Sequence, residues 1–320
     1  MIFSQLKSLI FFLLILLVIL MAVDTSSNFG VKHDFQNDLG KVNLVMGHRV
    51  DPDIMIFGSS NSEVGFDVPL LRRLSGKSVY NAALDGTHFL QMGCLVSEFS
   101  DYSSQNKYVI LGLSPFSLGP MKKVNRIDQF LAYIDNPYVY KSLSSMDPNL
   151  TNRCRFIPFY KYTEVNSDYY KQVMIGWKSY LGSARQKEIS DTNYGFTPNF
   201  QQWQKDQDAV NAASDRFPIP IDSSVCRYLQ GLITTLQAKG KKVILIYPPV
   251  QKDGQALITN FDAIGQAIKD LGARADYYFD FSNCSISAKK EFFYNDSHLN
   301  ARGAKEFSLM LFNQMKGVLN

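Results

Sequence analysis

Short apolar runs that alternate with segments of helical periodicity are the feature that most constrains the fold of this chain. The apolar runs occupy residues 53–57, 78–81, 107–112, 242–247 and 276–280. Segments with apolar residues at helical spacing follow at residues 68–74, 89–99, 225–238 and 261–271, and a last one passes through Phe307, Leu311 and Met315. Strands that alternate with helices predict a parallel sheet covered by helices on both faces, and therefore a three-layer α/β fold.

The alternation stops between about residues 117 and 217. This stretch is rich in tyrosine and contains Trp177 and Trp203. Because a loop of this length is uncommon in a compact domain, we interpret it as a helical insertion in a domain of residues 53–320, which a polar connector at residues 24–52 precedes. The aromatic side chains of the insertion form either a small core of their own or a wall that packs on the apolar faces of a sugar.

The N-terminal segment differs in composition from the rest of the chain. Residues 8–23 carry no charge, Lys7 precedes them and Asp24 follows them. Their length lies between the core of a signal peptide and a full transmembrane helix. A bulky residue at the outer position of Leu20–Ala22 disfavours cleavage. We therefore predict an uncleaved signal anchor over residues 1–23 rather than a cleaved signal, with the N-terminus in the cytoplasm and the main domain outside it.

Charge and cysteine content exclude several classes of function. The formal net charge is +4 and the lysines and arginines are scattered, so the sequence has no basic stripe for nucleic acid. The cysteines, which form no Cys-x-x-Cys pattern, are Cys94, Cys154, Cys226 and Cys284. This spacing argues against a zinc or redox site. In an exported domain these cysteines are compatible with disulfides as well as with buried thiols, and the sequence leaves both open.

Polar residues that suit nucleophilic catalysis follow the predicted strands. Ser59 and Ser60 come directly after the first strand, Gly86 lies after the second, and Asp296 and His298 lie ahead of the last helix. Ligands of parallel α/β sheets bind at the carboxyl ends of the strands. A serine becomes nucleophilic when an imidazole takes its proton and a further group orients that imidazole. We therefore expect a serine acyl-transfer site in which backbone N–H groups bind the oxyanion.

These motifs resemble the SGNH/GDSL hydrolase superfamily. Gly58-Ser59-Ser60 is similar to the family's Gly-Asp-Ser turn, Asn81–Gly86 to the block with the oxyanion-hole glycine, and Asp296-Ser-His298 to the block with the acid and base. The resemblance implies an α/β/α sandwich with a parallel flavodoxin-like sheet. It assigns the nucleophile to Ser60 rather than Ser59 or Ser62, the base to His298, the orienting acid to Asp296 and the oxyanion hole to Ser60 and Gly86. It requires no metal and no organic cofactor.

The sequence departs from the family pattern at two places. The family's usual acid lies three residues before the histidine, where this chain has Asn295, so Asp296 follows a shorter spacing that also occurs in an alginate-acetyltransferase branch. The third family block supplies an oxyanion-hole asparagine, but the corresponding strand end, Leu111–Pro115, contains none. Ser114 or a backbone group would have to substitute for it, or the oxyanion hole has only two donors.

The anchor and the Gly-Ser-Ser turn are similar to the membrane-tethered branch of the superfamily, which includes the D-alanyl transfer protein of teichoic acids and polysaccharide O-acetylation proteins. This resemblance implies acyl transfer, of an O-acetyl or similar group, onto an envelope or exported polysaccharide through an acyl-serine. It also implies a glycan or acyl-ester substrate and a multi-spanning membrane acyltransferase as partner. The alternatives are a carbohydrate or lipid esterase (a deacetylase) of the same fold and a non-catalytic envelope scaffold.

Overall fold

The computed structural model describes residues 2–121, 123–182, 192–203, 207–208, 211 and 214–319. Residue 1 of the predicted anchor, and residues 122, 183–191, 204–206, 209–210 and 212–213 of the predicted insertion, lie outside the described residues. The chain divides into two compact units. We call residues 1–43 with 126–190 the N-terminal unit, and residues 44–125 with 191–320 the sheet unit.

The sheet unit is built on five parallel strands in the order β2-β1-β3-β4-β5. They are β1 (Ile54–Gly58), β2 (Val79–Asn81), β3 (Tyr108–Gly112), β4 (Lys242–Tyr247) and β5 (Tyr277–Asp280). This is one of the two common orders of doubly wound sheets, and its topological switch point lies between β1 and β3. The prediction of an α/β fold with a parallel sheet is confirmed.

The helices in chain order are α1 (Ile2–Lys32), α2 (Asn37–Met46), α3 (Ser60–Gly65), α4 (Val68–Ser75), α5 (Phe89–Tyr102), α6 (Pro137–Met146), α7 (Pro148–Phe156), α8 (Ser167–Leu181), α9 (Ser223–Ala238), α10 (Lys252–Leu257), α11 (Phe261–Gly272) and α12 (Ala301–Met315). Most begin at a residue whose side chain accepts a backbone N–H, as Asn300 does from Gly303 at 3.0 Å. Such caps satisfy N–H groups that lack an intrahelical partner.

Both faces of the sheet are covered by helices because successive strand residues point to opposite sides. Ile54 and Ile56 belong to a buried cluster with Phe307 and Leu311 of α12. Phe57, which follows Ile56 and points to the opposite face, contacts Phe99 of α5 with ring centroids 5.8 Å apart. The strands are buried along almost their whole length in β1–β4, which explains their continuous apolar runs.

Much of the predicted connector at residues 24–52 is helical. The last turns of α1 and all of α2 fall within it. Specific contacts hold this part of α1 in the N-terminal unit: Asp24 pairs with Lys161 Nζ at 2.8 Å, and Trp177 Nε1 donates to the Ser26 carbonyl at 3.0 Å. Polar residues of the predicted connector, such as Asp24, therefore pair with residues of the helical insertion. Their distance along the chain hides these pairs in the sequence.

Helix α1 is long and apolar enough to cross a membrane over Gln5–Lys32. Its 31 residues correspond to about 46 Å at the rise of an α-helix, which exceeds the roughly 30 Å of a bilayer's hydrocarbon core. Large apolar side chains along its first part are exposed, Phe11 by 65% and Val18 by 65%. This part of α1 therefore has the composition of a lipid-facing helix.

Candidate active site

A pocket of about 260 Å³ lies where the carboxyl ends of the first strands meet. It is lined by Ser59, Ser60, Asn61, Gly86, Thr87, His88, Phe89, Ser114, Phe116, Ser117, Met121, Asn125, Ser297 and His298. Residues from the turns after β1, β2 and β3 thus meet the loop before α12. This is the position at which doubly wound sheets bind ligands, since the crevice opens at the switch point.

Two glycines shape the turn that presents Ser60. Gly58 and Gly112 pair across β1 and β3, and a Cβ on either would collide with the side chain of Ser62. The Ser62 hydroxyl is fully buried and donates to the Gly112 carbonyl at 3.2 Å. Ser62 therefore packs the turn from inside, while Ser60, the first residue of α3, is partly exposed in the pocket.

The structure brings Ser60 and His298 together across 238 positions of sequence. Ser60 Oγ lies 2.7 Å from His298 Nε2, which is the distance of a serine O–H donating to an imidazole. Burial lowers the pKa of His298, and the charge of Asp85 opposes this shift. A lowered pKa keeps the imidazole neutral near pH 7, which is the form that accepts the serine proton.

Asn295, and not Asp296, contacts the ring of His298. Asn295 Oδ1 lies 2.9 Å from His298 Nδ1 and also accepts the backbone N–H groups of Ser297 at 3.1 Å and His298 at 3.0 Å. These two N–H groups fix which end of the amide faces the ring, because only its oxygen accepts. Nδ1 therefore carries the proton, and Nε2 is left as the acceptor for Ser60.

Asp296 faces away from the imidazole. Its carboxylate accepts from Asn211 Nδ2 at 2.5 Å and from Gln207 Nε2 at 3.2 Å. Burial raises the pKa of Asp296, partly offset by the bond from Asn211. The contact expected between Asp296 and the ring of His298 is therefore not formed. The physical reason is local: the loop turns so that the residue three positions before the histidine caps the backbone N–H groups of residues 297 and 298, which points the next side chain outward.

The predicted oxyanion donors lie at the pocket, with different availability. Ser60 is the first residue of α3, so its N–H has no intrahelical acceptor. Gly86 has φ of +65°, a backbone conformation that favours glycine, and its turn is exposed. The Ser114 N–H is already taken by Ser117 Oγ at 2.8 Å, and its hydroxyl lies 3.3 Å from the same oxygen. The N–H groups of Ser60 and Gly86 therefore remain the better candidates.

Two asparagines that sequence reasoning did not assign hold the site together. Asn61 Nδ2 donates to the carbonyl of Ser297 and so ties α3 to the loop with His298. Asn81 Nδ2 donates to the Ser62 carbonyl at 2.9 Å, and its Oδ1 accepts from Ala83 N at 3.0 Å, which joins the end of β2 to α3. Asn61 directly follows the predicted nucleophile, and this adjacency was the only signal available for it.

The described residues contain no group of three or more His, Cys, Asp or Glu side chains that would hold a metal ion. The four cysteines are free thiols, two of them buried, Cys94 and Cys154. Burial raises the pKa of Cys154 to about 11, which keeps it a thiol and a poor nucleophile near neutral pH.

Comparisons with known proteins assign no family to this chain. No protein-family model matches the sequence, and no curated protein matches it. A solved structure from Streptococcus pneumonia, which carries the provisional name of a platelet activating factor, is similar with a TM-score of 0.43 and 14% sequence identity. The match covers 94% of this chain and 99% of that chain. A similarity of this size transfers neither fold details nor activity.

Proposed function

We propose that this protein is a membrane-anchored serine acyltransferase of the SGNH type, which moves a small acyl group from an ester donor to a hydroxyl of an exported glycan. The observation that carries the proposal is the 2.7 Å contact between Ser60 Oγ and His298 Nε2, with Asn295 on the other ring nitrogen. A serine, an imidazole and an orienting acceptor in this order are the parts of a nucleophilic acyl-transfer site.

In the first half-reaction, Ser60 Oγ attacks the acyl carbonyl carbon as His298 Nε2 takes its proton. The carbonyl oxygen becomes an oxyanion, to which the N–H groups of Ser60 and Gly86 donate. When the tetrahedral intermediate collapses, the bond to the leaving alcohol or thiol breaks and His298 returns the proton to that group. In the second half-reaction, a sugar hydroxyl gives its proton to His298 and attacks the acyl-serine. The bond between the acyl carbon and Ser60 Oγ then breaks, and His298 returns the proton to Oγ, which releases the acylated sugar and free Ser60.

Asn295 has a limited electrostatic role in this scheme. Its amide oxygen accepts the Nδ1 proton and holds the tautomer, but it adds no negative charge to stabilise the imidazolium. Burial of the ring lowers the pKa of His298, and a neutral orienting group does not raise it as a carboxylate would. The base is therefore weaker than one paired with a carboxylate, and it is fully deprotonated at a lower pH.

Hydrolysis is the second candidate, because Ser60 and His298 are both partly exposed. Water that reaches Nε2 would be activated as a sugar hydroxyl is, and the protein would then be an esterase or deacetylase. The apolar α1, which suits a membrane anchor, and Lys7 ahead of its uncharged run support an extracytoplasmic site, where the hydroxyls of an exported glycan can act as acceptors.

The test uses the full chain in detergent micelles with a fluorophosphonate probe and with p-nitrophenyl acetate. We expect labelling and release of p-nitrophenol, and the loss of both in Ser60→Ala. Ser59→Ala is the matched control: the Ser59 hydroxyl makes no cap hydrogen bond to α3, so this variant is expected to keep the label. Labelling that persists in Ser60→Ala would refute the assignment. A folded chain without labelling or turnover would support the scaffold alternative instead.

A further inference from the structure

A second pocket of the sheet unit, of about 420 Å³, lies outside the catalytic residues. It is lined by Asn199, Phe200, Gln202, Trp203, Glu291, Asn300, Ala301 and Arg302. None of these residues lines the pocket of Ser60 and His298. The site is thus separate from the nucleophile, and its lining combines aromatic rings with amide, carboxylate and guanidinium groups.

The aromatic side chains of this second pocket offer ring surface to a ligand. Phe200 is 81% exposed, an unusual degree for a large apolar side chain in a pocket wall. Trp203 is held in place, since its Nε1 donates to Asp208 at 2.9 Å and Lys290 Nζ lies 5.2 Å from its ring. An indole fixed by its polar edge loses little freedom when a ligand packs on it, which lowers the entropic cost of binding.

The polar groups of the second pocket suit a ligand with many hydroxyls. Gln202 donates and accepts, Glu291 accepts and Arg302 donates, and all three side chains are exposed. Glu291 and Arg302 have opposite charges, so the lining favours no strongly charged ligand. Planar polar groups beside exposed rings match the two surfaces of a pyranose, whose C–H faces are apolar and whose rim carries hydroxyls.

The second pocket is joined to the loop that carries the base. Ala301 N donates to the Asn199 carbonyl at 2.6 Å, and Asn300 Nδ2 donates to the carbonyls of Glu291 at 2.9 Å and Phe293 at 3.2 Å. The segment from Glu291 to Ala301 therefore lines this pocket at both ends and carries Asn295 and His298 between them. A chain-like ligand held here is placed beside the segment that holds the base.

We propose that the second pocket binds two or more units of a neutral oligosaccharide, as a holding site for the glycan acceptor of the acyl transfer. This inference rests on the proposed function for its biological role, although the binding itself does not depend on turnover. A pocket of this volume suits a few sugar rings rather than one small acyl group. It would keep a polymeric acceptor attached while its hydroxyls reach the acyl-serine.

Calorimetric titration of the full chain in detergent, with tetrasaccharides of glucose, mannose and N-acetylglucosamine, tests the binding. We expect at least one of these neutral probes to bind and Phe200→Ala to weaken its affinity about tenfold, since losing roughly half of the burial of a phenylalanine ring costs that much. Phe156→Ala is the matched control, because Phe156 is also exposed, by 64%, and lies outside both pockets.

The two tryptophans of the chain allow an optical measurement. In a Trp177→Phe background, Trp203 is the only indole, and the bound tetrasaccharide is expected to change its emission. An absence of binding by every neutral probe at millimolar concentration, or equal binding by Phe200→Ala and Phe156→Ala, would overturn the proposal. Tighter binding of an oligogalacturonate than of the neutral probes would also overturn it.

Failure of this proposal and failure of the proposed function are separable in the same samples. Phe200→Ala is expected to keep the release of p-nitrophenol from p-nitrophenyl acetate and to need about tenfold more tetrasaccharide for the same rate of acyl transfer. Binding without any esterolysis would refute the acyl-serine chemistry alone, whereas esterolysis without binding would refute the second pocket alone.

Discussion

Replacing Asn295 by aspartate is expected to raise the pKa of His298 and to strengthen it as a base. The aspartate would keep the acceptor position of Asn295 Oδ1, which lies 2.9 Å from His298 Nδ1 and also accepts the N–H groups of Ser297 and His298. It would add a negative charge beside the imidazolium that forms during catalysis. The change tests whether residue 295, and not Asp296, is the group that orients the base.

The size of the effect follows from the distance and the partial burial of the ring. Two opposite unit charges about 4 Å apart attract by roughly 4 kcal/mol at the effective dielectric near a protein surface. A carboxylate beside an imidazolium therefore raises the pKa of the imidazolium by about 1–3 units. In the wild type, burial lowers the pKa of His298 from its ordinary value of 6.5. The acidic limb of kcat/KM is therefore expected below pH 6.5 in the wild type and about 1–3 pH units higher in Asn295→Asp.

The assay is the pH profile of p-nitrophenyl acetate cleavage, together with NMR titration of the His298 ring, which needs no turnover. Above its new limb, Asn295→Asp should be faster, by roughly tenfold, because a stronger base gives a higher rate of proton transfer. Asn295→Ala removes the closer of the two oxygens at Nδ1 and leaves Ser297 Oγ at 3.1 Å. It should lower kcat by up to about 10⁴-fold, because the tautomer is held less firmly.

Asp296→Asn is the matched control, since asparagine keeps the shape of the side chain and one of the two oxygens, Oδ1 and Oδ2, with which Asp296 accepts from Asn211 and Gln207. This variant should leave both the acidic limb and the NMR titration of His298 where they are. The assignment of Asn295 would be refuted if the acidic limb of kcat/KM shifted in Asp296→Asn and stayed in place in Asn295→Asp. Asp296 would then be the orienting acid.

Three further substitutions test the packing of both units by thermal unfolding in detergent. Gly58→Ala should destabilise the chain by about 1–3 kcal/mol, because the added Cβ meets the Ser62 side chain and the Gly112 carbonyl; an unchanged midpoint would refute the tight turn. Gly231→Ala should stabilise by about 0.5–1 kcal/mol, since the helical Gly231 has open space around its added Cβ; a lower midpoint would contradict this. Burial raises the pKa of Asp34 from 3.8 to about 6, so the folded chain holds this proton more tightly and loses stability as the pH rises through that range. Asp34→Asn should remove up to about 3 kcal/mol of that loss at pH 8 and little at pH 4, and an equal gain at both pH values would refute the role of the charge.

The parallel sheet was predictable because buried strands and amphipathic helices leave periodic signals. Every predicted strand overlaps one of β1–β5, whereas the register that pairs Gly58 with Gly112 comes from the structure. The helical connector was not predictable in the same way. Asp24 is polar in the sequence, but in the fold it is the partner of Lys161, which lies 137 positions away, and no local pattern reports such a pairing.

The candidate site shows the same division between local and nonlocal information. The order of the strands and the positions of their carboxyl ends bring Ser60 and His298 to one pocket. Both of these features can be recognised in the sequence. The direction of a side chain within a loop of four residues depends instead on hydrogen bonds between that loop and its surroundings. Asn295 faces the imidazole because its oxygen also caps two backbone N–H groups, and Asp296 faces outward because Gln207 and Asn211 satisfy its carboxylate.

This arrangement separates two roles that one carboxylate would otherwise combine. A neutral amide contacts Nδ1 of His298 and places no fixed charge next to the ring. The carboxylate of Asp296 instead accepts from Gln207 and Asn211, which joins these two residues to the loop of His298. Trp203 lines the second pocket, and Asn300, two residues after His298, lines it too. A glycan bound in this pocket would therefore contact the same short segment that contains Asn295 and His298. If the proposed acyl transfer is correct, the presence of the acceptor should change the pH profile of the first half-reaction in the wild type and leave it unchanged in Phe200→Ala.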